Sequence, residues 1–138
     1  MLIGEYQHSV DTKGRLNFPA KLRESLGESF IITKGLDGCL AVYSQDEWQS
    51  EVDKYRGLTD KKGRALQRYI FSGAEKLEPD KQGRILIPSG LREFAGLDKN
   101  VVVVGVSVRV EIWDKQKWDE SQTLTDEDVV AMMEGIEF

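Results

Sequence analysis

The stretch DTKGRLNFPAKLRESLG, residues 11–27, returns further along the chain as DKQGRILIPSGLREFAG, residues 80–96. At an offset of 69 residues, eight of 17 positions are identical: Asp11/Asp80, Gly14/Gly83, Arg15/Arg84, Pro19/Pro88, Leu22/Leu91, Arg23/Arg92, Glu24/Glu93 and Gly27/Gly96. Average composition would give roughly one such match by chance. An internal repeat sets the architecture before any single element does. Upstream, Gly4 aligns with Gly73. Downstream, GLDGCLAVYSQDEW (35–48) follows the pattern of GVSVRVEIWDKQKW (105–118), and both end on a tryptophan, Trp48 and Trp118. The chain therefore divides into a first repeat (1–48), a helical linker (49–72), a second repeat (73–118) and an acidic C-terminal tail (119–138).

Each repeat predicts the same order of elements. A first strand alternates, with Tyr6, His8 and Val10 on one face and Glu5, Gln7 and Ser9 on the other. The motif D-x-x-G-R follows, a turn signal because Asp accepts from the backbone ahead of it and Gly tolerates positive φ. A short apolar strand comes next, Leu16 to Phe18 or Ile85 to Ile87. Pro19 and Pro88 suit helix starts, and Gly27 and Gly96 suit helix ends. Two more strands complete each repeat: Phe30–Thr33 and Leu40–Tyr43, then Val101–Val104 and Val106–Ile112. Asp37-Gly38 is a hairpin turn signal. In the linker, Ser44 and Glu47 predict a capping box ahead of Trp48, Val52 and Tyr55. A second linker helix around 60–71 is expected to place Leu66, Tyr69 and Ile70 on one face. Thr125 to Asp128 could cap a short helix reaching Met133 in a weakly apolar, partly disordered tail. One repeat of about 45 residues is too small to bury a core alone. The expected fold is mainly β with short helices (α+β), the two repeats pairing about a pseudo-two-fold axis into one barrel-like sheet without open edges.

The 138 residues are 40% apolar and 31% charged, as in an ordinary folded domain. No apolar run approaches the ~18 residues of a membrane span, and the N-terminus does not read as a signal peptide. One cysteine, Cys39, and one histidine, His8, exclude an internal disulfide and a Cys/His zinc site within one chain. No G-x-S-x-G or G-x-G-x-x-G occurs, so an enzyme is not expected, nor a cofactor or a small-molecule substrate. The net charge is −5, but residues 119–138 hold seven acidic side chains and no Lys or Arg, which leaves residues 1–118 at +2.

The two D-x-x-G-R loops are the informative chemistry. They carry Lys13 and Arg15 in the first repeat and Lys81 and Arg84 in the second, with Arg23 and Arg92 one helix away. A two-fold axis would bring both loops to one face. Arg grips phosphate, or guanine O6 and N7, through its planar fork, and Gly lets the backbone come close to a groove. The plainer reading is a tight turn in which Asp pairs with Arg, and the two readings are compatible. His8 and Cys39 read as structural, Trp48 and Trp118 as core or interface anchors, and Lys61, Lys62, Arg64 and Arg68 as a solvated helix face.

The segments GEYQHSVDTKGRLNFPAKLRE (4–24), TKGLDGCLAVY (33–43), RYIFSGAEKLEPDKQGRILIPSGLREFAGL (68–97) and VVVVGVSVRVEIWDKQKW (101–118) resemble the MraZ family over nearly the whole chain except the tail. The resemblance implies a bacterial protein with two tandem SpoVT–AbrB-like domains forming a pseudo-two-fold, swapped-hairpin β-barrel. It implies a ring-shaped homo-oligomer, cytoplasmic and nucleoid-associated. It also implies sequence-specific binding to short G-rich direct repeats in double-stranded promoter DNA. Those lie ahead of its own operon, the division and cell-wall gene cluster, where the family regulates transcription, commonly as a repressor. By position, the family's DNA-reading residues fall on Lys13, Arg15 and Arg84; Lys81, Arg23 and Arg92 complete the expected DNA-binding set. Gln82 stands opposite Lys13, and Leu86 opposite Asn17, so the loops are not expected to contact DNA equivalently. The competing reading is an antitoxin-like interaction module that holds a partner protein with the acidic tail.

Overall fold

The computed structural model describes residues 1–138. Eight strands and six helices follow in chain order: β1 (Leu2–Ser9), β2 (Arg15–Asn17), α1 (Ala20–Leu26), β3 (Phe30–Lys34), β4 (Leu40–Ser44), α2 (Gln45–Arg56), α3 (Lys61–Phe71), β5 (Glu75–Leu77), β6 (Arg84–Leu86), α4 (Ser89–Ala95), β7 (Asn100–Ser107), β8 (Val110–Asp114), α5 (Lys115–Ser121) and α6 (Asp126–Glu134). The class is α+β, with antiparallel pairing throughout.

Strand pairing interleaves the repeats. β1 of the first repeat pairs with β7 of the second, and β5 of the second pairs with β3 of the first. The middle of the molecule obeys a two-fold relation. In the β2–β6 ribbon Arg15 pairs with Leu86 and Asn17 with Arg84, while Leu16 faces Ile85. In the β4–β8 ladder Leu40 pairs with Ile112 and Val42 with Val110 about a central Ala41–Glu111 pair. Each flanking residue thus pairs with the repeat-mate of the residue two positions along its own strand, and each central residue with its own repeat-mate, which is what an axis through the two central pairs requires.

The expected closed barrel does not form. The large sheet runs β1-β7-β8-β4-β3-β5 with β1 and β5 as open edges, and β2-β6 is a separate two-stranded ribbon. A single bridge, Val10 to Leu16, joins β1 to that ribbon. The second repeat's first strand is the reason. β5 has three residues where β1 has eight. It begins just after the Ser72 helix end, and Pro79, two residues past its end, has no N–H to give a ladder.

Alternation sorts the sheet residues into two layers. Phe30, Ile32, Leu40, Val42, Val101, Val103, Val110 and Ile112 face inward and pack with Leu16 and Ile85 of the ribbon and with Leu22, Leu26, Leu91 and Ala95 of α1 and α4. Cys39, Val102, Val104 and Trp113 form a smaller outer cluster with Trp118 of α5 packed against it. On the same side, Trp48 of α2 stacks on Tyr43 at 5.9 Å and on Phe71 of α3 at 5.3 Å. The paired tryptophans are therefore anchors of helices on the outer face.

Several boundaries differ from expectation. The last two strands of the second repeat do not break at Gly105. β7 continues to Ser107, whose φ of +78° makes the turn, and Val108 lies exposed in it. Gly105 stays inside β7 because a Cβ there would lie 2.5 Å from the Ile3 nitrogen of β1. Asp37 and Gly38, with φ of +64° and +82°, form the expected hairpin turn. At α2, Ser44 caps the Glu47 N–H at 3.2 Å, without the reciprocal half of a capping box. In α3, Leu66 and Tyr69 are exposed and Phe71 turns to the body instead. The acidic tail contains α6, held by a full Thr125–Asp128 capping box, and α5 was not foreseen.

Candidate nucleic-acid interface

The two loops are built alike. Asp11 Oδ1 accepts from the Lys13 and Arg15 backbone N–H groups, both at 2.9 Å, and Oδ2 accepts from Arg15 Nε at 2.7 Å. Asp80 does the same for Gln82, Arg84 and Arg84 Nε, each at 2.9 Å. The turn closes with Gly14 N–H donating to the Asp11 carbonyl at 3.0 Å and Gly83 N–H to the Asp80 carbonyl at 2.9 Å. Gly14 and Gly83 take φ of +85° and +79°, the left-handed region that side chains avoid. The Arg15 backbone N–H, then the Arg15 side chain, pulls the Asp11 carboxyl down to about 2. Asp80 is lowered for the same reasons by Arg84. The plain reading of D-x-x-G-R, Asp pairing with Arg, is thus realised in both loops.

That pairing leaves the cations usable. Only Nε of Arg15 and Arg84 is engaged by the aspartate, and their Nη groups have no partner in the chain. The two side chains keep 34% and 29% of their surface in solvent. Lys13 and Lys81 are exposed and make no ion pair.

The ribbon decides where these groups point. Leu16 and Ile85 are its buried centre. Their neighbours Arg15, Asn17, Arg84 and Leu86 therefore face the opposite way, outward. Arg15 and Arg84 stand as diagonal neighbours on that face, on the order of 7–8 Å apart by ladder geometry. The loops preceding them enter from the two ends of the antiparallel ribbon. Asn17 and Leu86 complete the same face, and Leu86 is 57% exposed despite being apolar.

Arg23 and Arg92 do something the sequence did not disclose. Arg23 Nε donates to the Phe18 carbonyl at 3.1 Å and Arg92 Nε to the Ile87 carbonyl at 3.0 Å. Their guanidinium groups then lie across the glycine of the opposite repeat's loop. A Cβ on Gly14 would sit 2.6 Å from Arg92 Cζ, and one on Gly83 2.8 Å from Arg23 Cζ. Each loop is clasped a second time by backbone: Phe18 N–H donates to the Gly83 carbonyl at 3.0 Å and Ile87 N–H to the Gly14 carbonyl at 2.9 Å. These two arginines therefore lie packed across the other repeat's turn. Their identity in both repeats was the available signal, but a linear sequence does not say which loop a helix residue crosses.

Chemically, the face offers two Arg forks, two free Lys ammonium groups, an amide and an apolar side chain. Such a set matches guanine edges, phosphate, adenine and a thymine methyl respectively. His8 is half-buried, and Cys39 is fully buried, its thiol pushed up to about 12 chiefly by burial; neither belongs to this face.

Comparisons with known proteins agree with the repeat. The sequence profile described as "MraZ protein, putative antitoxin-like" matches residues 1–69 and again 70–130. The chain is 60% identical over 121 residues to the transcriptional regulator MraZ of Acetivibrio thermocellus, covering 86% of this chain and 85% of that protein. It is 57% identical over 120 residues to the transcriptional regulator MraZ of Heliobacterium modesticaldum, with 86% and 84% covered. For that of Caldanaerobacter subterraneus the identity is 55% over 128 residues, with 91% and 90% covered. With both halves matched and relatives aligned over most of their length, the chain belongs to the MraZ family.

Proposed function

We propose that this protein is a sequence-specific DNA-binding regulator of transcription, acting as a repressor of the division and cell-wall gene cluster that includes its own operon. The observation that carries this is the shared outward face of the β2–β6 ribbon, where Arg15 and Arg84 stand side by side with unpartnered Nη groups. The relatives' description as transcriptional regulators supports it. Arg15 and Arg84 read guanine edges, Lys13 and Lys81 bind phosphates, and Arg23 and Arg92 hold the loops in register. The exchange of first strands between the repeats corresponds to the swapped-hairpin arrangement of AbrB-like domains. One protomer presents few cations, so tight binding needs several copies acting together on tandem sites. A ring of identical subunits facing the DNA in one sense suits short direct repeats, and the DNA bends to follow it.

Fluorescence anisotropy on duplexes with G-rich direct repeats, and on scrambled duplexes, tests this. Arg15→Ala or Arg84→Ala is expected to cost about 1–3 kcal/mol on the repeats and little on scrambled DNA. Lys13→Ala weakens both alike and reduces the salt slope by about one. Normal operator binding by Arg15→Ala would overturn the base-reading role.

A further inference from the structure

The two copies of the turn and its strand agree where they are buried and differ where they are exposed. From Asp11 to Phe18 against Asp80 to Ile87, the buried positions keep their kind: Gly14 and Gly83, Leu16 and Ile85, Phe18 and Ile87. The aspartates and arginines are identical. The kind of side chain changes at Thr12/Lys81, Lys13/Gln82 and Asn17/Leu86, and all of those residues are exposed. Folding therefore does not require these differences. Leu86 is the clearest case. It is 57% exposed, at a position where the other copy carries an asparagine in the same ladder geometry.

The register sets this unlike pair beside the like pair. Leu86 stands directly across from Arg15, and Asn17 directly across from Arg84. Side chains directly opposite one another are about 4.5–5.5 Å apart at Cβ, close enough to serve neighbouring bases, which follow each other at ~3.4 Å. A two-stranded ribbon is narrow enough to enter a major groove. The axis that exchanges Arg15 with Arg84 also exchanges Asn17 with Leu86. With arginines alone, the face would dock equally well in two senses, half a turn apart about that axis. An amide on one side and an apolar side chain on the other make the two senses unequal.

We propose that Asn17 and Leu86 are specificity-determining residues that give this protein a direction on its operator. Leu86 covers the methyl of a thymine beside the guanine read by Arg15. Asn17 bonds the N6 and N7 edge of an adenine beside the guanine read by Arg84. The inference rests on the proposed base reading by the two arginines and deepens it. A carboxamide matches the adenine donor and acceptor as a pair, and the thymine methyl is the apolar group that the major groove offers. Lys13 and Lys81 occupy non-equivalent positions of their loops, but phosphate contacts carry no sequence information, so the choice of bases falls to the strand residues. The recognised box is then not a palindrome, and tandem boxes have to run in one direction for identical subunits to use each of them.

The full-length protein is first used to select duplexes from a random pool, and the selected box is then titrated by fluorescence anisotropy. The box is expected to be non-palindromic, with thymine beside one guanine and adenine beside the other. Deoxyuridine in place of that thymine removes only the methyl, and should weaken wild-type binding on the order of fourfold per box. Leu86→Ala is expected to bind both duplexes alike. Substituting 7-deazaadenine for the adenine removes one hydrogen-bond acceptor, and should weaken the wild type on the order of fivefold while leaving Asn17→Ala indifferent. The exchange variant Asn17→Leu/Leu86→Asn carries both side chains with the direction reversed. It can turn about the axis, so it should bind the selected box more tightly than Asn17→Leu or Leu86→Asn alone. A palindromic box, a box lacking that thymine or adenine, or alanine variants that keep the wild-type response to the altered bases would overturn the inference and leave the regulator reading standing. A protein that enriches no sequence from the pool would overturn both.

Discussion

Replacing Gly14 with alanine tests the construction of the interface at one atom. Gly14 sits at φ +85°, where an L side chain costs about 1–2 kcal/mol. The new Cβ would also lie 2.6 Å from Arg92 Cζ and 2.9 Å from its Nε and Nη1. The guanidinium has to leave, breaking its 3.0 Å bond to the Ile87 carbonyl, worth about 0.5–1.5 kcal/mol. The expected destabilisation is about 2–3 kcal/mol, roughly 6–12 °C in Tm for a domain of this size. The same variant should lose operator affinity, because Arg15 follows the distorted turn. A double-mutant cycle isolates the crossing. In Arg92→Ala the collision is absent, so Gly14→Ala should cost about 1 kcal/mol less there than in the wild type. Calorimetric scans of the four proteins decide it. Strict additivity would refute the Arg92–Gly14 contact, and a Gly14→Ala protein melting within a degree of the wild type would refute the strained turn as well.

Three further outcomes are expected. Leu16→Ala, at the buried centre of the ribbon opposite Ile85, should cost about 2–5 kcal/mol by urea denaturation and weaken DNA binding by splaying Arg15 from Arg84. In acid, Asp11 is held near 2 against an ordinary 3.8, so its support of the first loop is complete above about pH 4 and is lost as pH falls toward 2. The Lys13 and Arg15 amide resonances should report that change, and a shift already complete at pH 5 would contradict it. Cys39, buried and with its thiol pushed up to about 12, should resist aromatic disulfide reagents at pH 8 in the folded protein and react on unfolding.

Most of the elements were legible because their signals are local. Proline before α1 and α4, glycine after them, and Asp-x-x-Gly-Arg ahead of β2 and β6 each act within a few residues. The repeat also made the two-fold pairing readable, since a sequence written twice tends to pack against itself. The failures lie where distant groups compete. Gly105 looked like a strand break but is a point of close approach to β1, visible only once β1 is beside it. Leu66 looked like the core face of its helix, yet Phe71 won that place by stacking on Trp48 and Tyr55. Closure into a barrel was expected from symmetry and was lost because β5 is only three residues long.

By itself, the sequence determined that two copies of one turn–strand–helix unit exist, that each bears an aspartate and an arginine in one D-x-x-G-R turn, and that the excess negative charge lies at the C-terminus. Those properties depend on neighbours a few residues apart, so a linear reading reaches them. Tertiary structure alone decided that Arg15 and Arg84 share one outward face, that Arg23 and Arg92 each clasp the opposite repeat's loop, and that α6 stands free. These depend on which strand lies beside which, and that is settled by burying one continuous core between the repeats.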